Sequence, residues 1–404
     1  MIQFTSDVYF VEGAKNGAIY DLAKNRVFAV NASAVKVIHQ IAAGKRLETY
    51  ECEYKQMLKD AGLFDESFTI REVTPDNMPE LMRDTTFDLV WLELTHACNL
   101  KCIHCYEGDV HRRTVVRLTF EQWRKVIDQI SELGSKGIVV IGGEPSIHPD
   151  ACRILRYLKE KGLAASFFTN ATFDDRELKA TLLETGTALR VSLYGHVSAV
   201  HDKITQVPGS FEHTVANIKW FLAQGLPVHV SVIFMRENEA FRNEIESFVR
   251  GLGVSGYKFD VIRCVHGGNQ ESHLPVLNDM KRMGRIREAK FRISREKFMN
   301  ALHFNPCWNR KLVVSEDGTV LPCEFAREIR IANVQESSLS EIVKSDALLR
   351  CWRLSMDHIT ICRVCEFRYA CRDCRPYAMA KRNCRNDKTP RCDYNPEKGV
   401  WENE

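Results

Sequence analysis

From Phe87 onward the chain repeats strand, loop and helix, and this repetition constrains the fold more than any other feature of the sequence. Strands are expected over residues 89–94, 137–141, 165–169, 188–193, 227–234 and 257–262, with helical periodicity over 121–133, 213–224 and 239–252 between them. Six successive βα units imply a parallel sheet, curved or closed, with function at the C-terminal ends of its strands. The alternation fails beyond Pro306. A different pattern comes first: short strands over 7–12, 17–22 and 26–30, with turns at Gly13, Asn16-Gly17 and residues 23–25. Helices follow over 33–42, with Asn31 as cap and Gly44 as stop, and over 48–61. Three small strands followed by helices do not fit the βα series, so a separate domain is drawn over residues 1–64. Residues 65–86, with two prolines and many charges, read as a linker to a barrel over 87–300.

Cysteine usage adds the chemistry. The chain has 404 residues and 15 cysteines, an odd number. No run approaches the 18 apolar residues of a membrane span, and the start lacks the basic and apolar regions of a signal peptide. The expected location is therefore cytoplasmic, where a disulfide framework is disfavoured and metal or Fe–S ligation is the better use of so many thiols. A formal charge of +3 is too small to suggest nucleic-acid binding. Cys52, Cys152 and Cys264 stand alone, Cys98, Cys102 and Cys105 form a tight trio, and nine cysteines crowd into residues 307–392.

The trio lies in Leu94-Thr95-His96-Ala97-Cys98-Asn99-Leu100-Lys101-Cys102-Ile103-His104-Cys105-Tyr106, where the first strand of the βα series gives way to its loop. Three thiolates at this spacing can hold three irons of a [4Fe–4S] cube and leave the fourth without a protein ligand. A zinc site completed by His96 or His104 uses the same residue types. The run resembles the cluster motif of the radical S-adenosylmethionine (SAM) enzymes, with His104 where an aromatic residue usually precedes the third cysteine. That resemblance implies a partial (β/α)6 TIM-type barrel in an α/β fold. It also implies SAM chelated at the open iron and cleaved by one electron to methionine and a 5′-deoxyadenosyl radical, so Cys98, Cys102 and Cys105 are the catalytic centre.

The second expected barrel strand runs into Gly142, Gly143, Glu144 and Pro145, which resembles the family's motif for the SAM amino group. Glycines allow close backbone approach, although a Gly-Gly pair by itself is also an ordinary turn. Phe168-Thr169-Asn170 and Ser192-Leu193-Tyr194-Gly195 end the third and fourth strands, where related enzymes contact the ribose and carboxylate of SAM. His104, Asn170 and Ser192 therefore join the expected cofactor-binding residues. His201-Asp202 with Gly209-Ser210-Phe211 also resembles family pattern, and helix capping accounts for those residues equally well.

At the other end, Cys307, Gly318, Cys323, Cys362, Cys365, Cys371, Cys374 and Cys392 resemble the SPASM domain, placed over residues 301–404, which holds two auxiliary [4Fe–4S] clusters. By that resemblance Cys362, Cys365, Cys371 and Cys392 ligate the distal cluster, and Cys307, Cys323 and Cys374 contribute to the nearer one. Two departures stand out. Only two residues separate Cys371 from Cys374, which makes Cys384 a candidate substitute, and Ala301 occupies the position of a further cysteine ligand. Cys264 and His303 are candidates to fill that gap. Three [4Fe–4S] clusters and SAM are the expected cofactors.

The strands and helices of the N-terminal domain resemble the winged-helix, PqqD-like leader-recognition domain of peptide-modifying enzymes. The implied function is maturation of a ribosomal precursor peptide, its leader bound by residues 1–64. Hydrogen abstraction from an unactivated carbon would be followed by an intrapeptide cross-link, read as a cysteine thioether, with flavodoxin or ferredoxin as electron donor. The competing readings are a C–C cross-linking peptide cyclase, formylglycine-type oxidation of Cys or Ser in a protein, and a non-enzymatic Fe–S or zinc redox sensor. Neither a nucleic acid nor a membrane is an expected partner.

Overall fold

The computed structural model describes residues 1–79, 87–108, 117–265, 270–287, 291–382 and 386–402. The chain packs as two compact units, one of residues 1–84, 285–309 and 350–404, the other of residues 85–284 and 310–349. Among the described residues no helix is long and apolar enough to cross a membrane.

In the first unit β1 (Ile2–Gln3), β2 (Val8–Glu12), β3 (Gly17–Asp21), β4 (Arg26–Val30) and β5 (Arg71–Glu72) form an antiparallel sheet in the order β4-β3-β2-β1-β5. β2, β3 and β4 lie where strands were expected. β1 and β5 were not expected, and β5 comes from the stretch read as a linker, held by Arg71 Nε donating to Gln3 Oε1 at 2.7 Å. Asn31 caps α1 (Ala32–Ala42) by accepting the Ala34 N–H at 2.9 Å, and a capping box of Glu48 and Glu51 starts α2 (Thr49–Asp60).

Alternate residues of a strand face opposite sides of its sheet. Val8, Phe10 and Ile19 pack with Val37, Ile38 and Leu58 of the two helices. Tyr9, Val11, Ala18 and Tyr20, on the other face, pack with Phe298, Phe367, Tyr369 and Tyr394 from the later segments of the unit. Phe298, on the helix Arg295–His303, is the hub: its ring lies 5.0 Å from Tyr9, 5.2 Å from Tyr20 and 5.6 Å from Tyr369. Burial on both faces is why Val8-Tyr9-Phe10-Val11 reads as a continuous apolar run rather than an alternating one. The β2–β3 hairpin is also tied to the cysteine-bearing loop, its turn through Ala14 N–H to Val364 O and β3 through Tyr20 OH to Glu366 O, both 2.8 Å.

The second unit contains β6 (Leu89–Glu93), α3 (Phe120–Glu132), β7 (Ile138–Ile141), α4 (Ala151–Glu160), β8 (Ala165–Thr169), α5 (Arg176–Thr185) and β9 (Ala188–Ser192). It continues through α6 (Ser198–Thr205), α7 (Ser210–Ala223), β10 (Val228–Phe234), α8 (Arg242–Gly251), β11 (Gly256–Val261) and α9 (Asn278–Met283). Strands β6 to β11 are parallel and adjacent in sequence order, as the six βα units require. Three more strands extend the sheet beyond β6: β12 (Lys311–Val314), parallel to it, then β13 (Thr319–Leu321) and β14 (Ala332–Asn333), antiparallel. β7 is buried along its whole length, as befits an inner strand of a parallel sheet. α3 starts at a capping box of Thr119 and Gln122 and buries Trp123, Val126, Ile127 and Ile130, one helical face.

Candidate active site and cluster-binding sites

The cysteine loop leaves β6 at its C-terminal end, where a parallel α/β sheet presents its functional groups. Its backbone is tied to the end of α6 by Lys101 N–H to Thr205 O at 2.9 Å and Ile103 N–H to Ile204 O at 3.0 Å. Asp202 steadies that end by accepting the Gly209 N–H at 2.8 Å, the Ser210 Oγ–H at 2.8 Å and the Phe211 N–H at 2.9 Å. The His201-Asp202 and Gly209-Ser210-Phe211 pattern thus caps α7 and supports the cysteine loop. Burial pushes the Cys98 thiol up to about 11; burial with the neighbouring cysteines raises Cys102, and burial with the Glu107 carboxylate raises Cys105. The three thiols lie on one loop and influence one another's charge, and a metal bound there would displace their protons.

The Gly142-Gly143 segment forms the floor beside this loop. Gly143 N–H donates to Thr95 O at 2.7 Å and Glu144 N–H to Ala97 O at 2.9 Å. A Cβ on Gly142 would collide with the Thr95 carbonyl, and one on Gly143 would lie 2.5 Å from the Ala97 oxygen. Only glycine admits this approach. Glu144 is fully buried, and its carboxylate accepts from Thr169 Oγ at 2.7 Å, Asn170 N–H at 2.7 Å and Ser146 N–H at 3.1 Å. Burial raises its pKa against the pull of those donors. The side chain therefore braces the β7 end against the β8 end, and Pro145 opens the short 3-10 turn Pro145–Ile147 that Glu144 caps.

Asn170 joins the same construction, with its Nδ2 donating to Asn99 Oδ1 inside the cysteine loop at 2.8 Å. Ser192 ends β9 beside Ser231 of β10. His104 sets its ring edge-on to Tyr194 at 4.6 Å, and Tyr194 in turn stacks on His201 at 5.6 Å. Burial, with His273 adding to it, lowers His104 to about 4, so this ring is neutral near pH 7. The structure thus gathers the trio, Gly142, Gly143, Glu144, Pro145, Asn170, His104 and Ser192 around the C-terminal ends of β6 to β9. A close backbone cradle beside three thiols on one loop fits an iron–sulfur cluster with one iron left for a small polar ligand.

One group was missed from the sequence. Glu93, the last residue of β6 and fully buried, receives both terminal nitrogens of Arg327, Nη1 at 2.6 Å, together with Ser315 Oγ at 2.8 Å. Arg327 also pairs with Glu107, and His96 Nε2 lies 3.0 Å from both Glu93 Oε2 and Ser315 Oγ. Burial opposes the charge on Glu93, but Arg327 and His96 outweigh it and hold the carboxyl well below the usual range. Burial dominates at Glu107 and raises it. A carboxylate closing an apolar strand was the available signal.

In the other unit Cys362, Cys365, Cys371 and Cys392 line one small pocket of about 20 Å³, walled by Phe291, Phe367 and Trp401 among others. Burial raises all four thiols, Cys362 to about 11, and Arg375, Lys388 and Arg285 partly offset the effect. Four cysteines lining one apolar pocket fit a fully ligated cluster. Cys307 and Cys374 belong to this unit and Cys323 to the other. Ala301 lies within the apolar core around Phe298, Cys264 and His303 are in different units, and Cys384 lies outside the described residues.

Residues 92–249 match the radical SAM superfamily and residues 307–375 the SPASM iron-sulfur cluster-binding domain. The AdoMet-dependent heme synthase of Methanosarcina barkeri is 25% identical over 340 residues, 77% of this chain and 97% of that protein. The PqqA peptide cyclase of Gluconobacter oxydans is 28% identical over 323 residues, 75% of this chain and 90% of that protein. Among solved structures, Streptococcus suis SuiB bound to precursor peptide SuiA matches with a TM-score of 0.63 at 14% identity, covering 96% of this chain and 98% of that one. With three cysteines on one loop beside a glycine cradle, and with matches in both of its cysteine-bearing regions, the chain carries a radical SAM domain over residues 92–249 and a SPASM iron–sulfur domain over residues 307–375.

Proposed function

We propose that this enzyme matures a ribosomally made precursor peptide by forming an intrapeptide cross-link, a cysteine thioether. The observation that carries the reading is the N-terminal sheet, whose β4 edge pairs only with β3 among the described residues and exposes Arg26, Ala29 and Phe28. An open edge can take an extended leader peptide as a further strand, with main-chain hydrogen bonds giving affinity and side-chain pockets giving choice. Similarity to a PqqA peptide cyclase, and a fold shared along nearly the whole chain with SuiB, support a peptide as substrate.

In this reading Cys98, Cys102 and Cys105 ligate the catalytic cluster. When bound there, the cluster and SAM supply the 5′-deoxyadenosyl radical that removes a hydrogen atom from the peptide. Gly142, Gly143, Glu144, Pro145, His104, Asn170 and Ser192 shape the SAM site. Cys362, Cys365, Cys371 and Cys392 hold the distal auxiliary cluster, and Cys307, Cys323 and Cys374 a nearer one, for three clusters in all. Flavodoxin or ferredoxin in the cytoplasm supplies the electron that starts turnover. Thioether formation would release one hydrogen atom to the radical, one proton and one electron, and a cluster held by the SPASM cysteines would supply an acceptor for that electron.

Anaerobic incubation with SAM, reductant and a cysteine-containing peptide encoded beside the enzyme tests this by mass spectrometry. The expected product is lighter by two hydrogens, resists thiol alkylation, and fails to form when β4 is broken by Ala29→Pro. A second reading, modification of a porphyrin, follows from the heme synthase similarity. Turnover of an iron porphyrin with no reaction on the peptide would establish it instead.

A further inference from the structure

We propose that Arg327 is a positioning residue for the catalytic cluster: its guanidinium joins Glu93, just before the cysteine loop, to Glu107, just after it, and its charge favours the electron that the cluster must accept. Glu93 and Glu107 stand fourteen positions apart and enclose all three cysteines of the trio. The guanidinium takes Glu93 with both terminal nitrogens and Glu107 with one of them. A forked, planar cation suits two carboxylates arriving from different directions, which the compact ammonium of lysine matches less well. The loop between them is thereby closed at its base, as a cross-link would close it.

Charge makes this more than a clasp. Glu93 is fully buried and Glu107 is 5% exposed, so without Arg327 two carboxylates would face each other in a poorly solvated place. Ser315 and His96 solvate Glu93 further, and Glu316 accepts the His96 N–H at 2.8 Å, so the whole group adjoins the backbone that leads into Cys98. Arg327 and Glu107 both act electrostatically on Cys105, with opposite signs. An iron–sulfur cluster on three thiolates is already negative, and reduction adds another charge; local net charge is one of the factors that set its potential. Arg327 should raise the potential and Glu107 should lower it. The inference depends on the trio holding a cluster and not on the identity of the substrate.

The experiment is a redox titration of anaerobically reconstituted holoenzyme, followed by electron paramagnetic resonance without peptide. The catalytic cluster is identified as the signal that changes on adding SAM. Arg327→Gln should move its midpoint to lower potential, Glu107→Gln to higher potential, and Arg327→Lys should stay nearer wild type than Arg327→Gln. A merely structural role would not give opposite signs. If Arg327→Gln fails to retain the cluster, Glu107→Gln alone decides: an upward shift supports the proposal and an unchanged midpoint overturns it. Shifts of the same sign in the two glutamine variants, or Arg327→Lys at the Arg327→Gln value, would also overturn it.

Discussion

The two described cysteine sites solve opposite problems with the same ligand type. The trio after β6 sits in a loop hydrogen-bonded to its neighbours, floored by glycine backbone and edged by Glu144, Asn170 and a buried ion pair. The distal four line an apolar cavity between aromatic rings, where Phe367 lies 4.9 Å from Phe291 and 5.3 Å from Tyr394. Polar, close-approach surroundings suit a cluster that must bind and orient a small charged ligand. Dry aromatic walls suit one that only stores or passes an electron, because the hydrophobic shell controls solvent access and so the potential.

The largest expected effects separate the two sites. Replacing Cys98, Cys102 and Cys105 together by Ala should abolish 5′-deoxyadenosine formation. Cys371→Ala should leave SAM cleavage measurable but stop the formation of modified peptide, as chromatography of both products would reveal. Equal loss of both activities in the two variants would erase the distinction. Next come the walls. Phe367→Ala should destabilise the first unit by roughly 3–5 kcal/mol, the usual range for emptying a large aromatic site, and lower the iron content there.

Gly143→Ala tests the other style of construction. It removes no packing atom yet forces a methyl into two carbonyls, at a cost of about 1–3 kcal/mol, equivalent to roughly a 5- to 150-fold loss of SAM affinity by equilibrium binding. Thermal unfolding should change less than for Phe367→Ala. The smallest effect lies away from both sites: Asn31→Ala, which removes the α1 cap, should cost about 1 kcal/mol in denaturant unfolding and leave SAM cleavage unchanged.

The same contrast explains how much could be read from the chain. Strands β6 to β11 form from local patterns, apolar runs bounded by turns and spaced by helices, so each was visible within its own window. Cys98 to Cys105 and Gly142 to Pro145 were visible because backbone chemistry restricts residue type at fixed spacing. β1 and β5 were not, since two-residue strands carry no periodicity and are defined by their pairing, Ile2 with Glu72 and Gln3 with Arg71. Nor was the union of β2 and β3 with Phe298, Phe367 and Tyr394, which joins segments nearly 400 positions apart. Arg327 was hidden for the same reason: its partners lie more than 200 residues away, and a single arginine after Cys323 leaves no pattern.

The central claim is that Cys98, Cys102 and Cys105 hold a cluster that binds SAM, separate from the one held by the distal cysteines. Electron paramagnetic resonance of the reduced wild-type enzyme and its triple Cys→Ala variant, each with and without SAM, tests it directly. The account predicts that SAM alters one wild-type signal, that this signal is missing from the variant, and that the remaining signal is indifferent to SAM. A SAM-responsive signal surviving in the variant, or wild-type protein purified anaerobically with zinc and little iron, would contradict it.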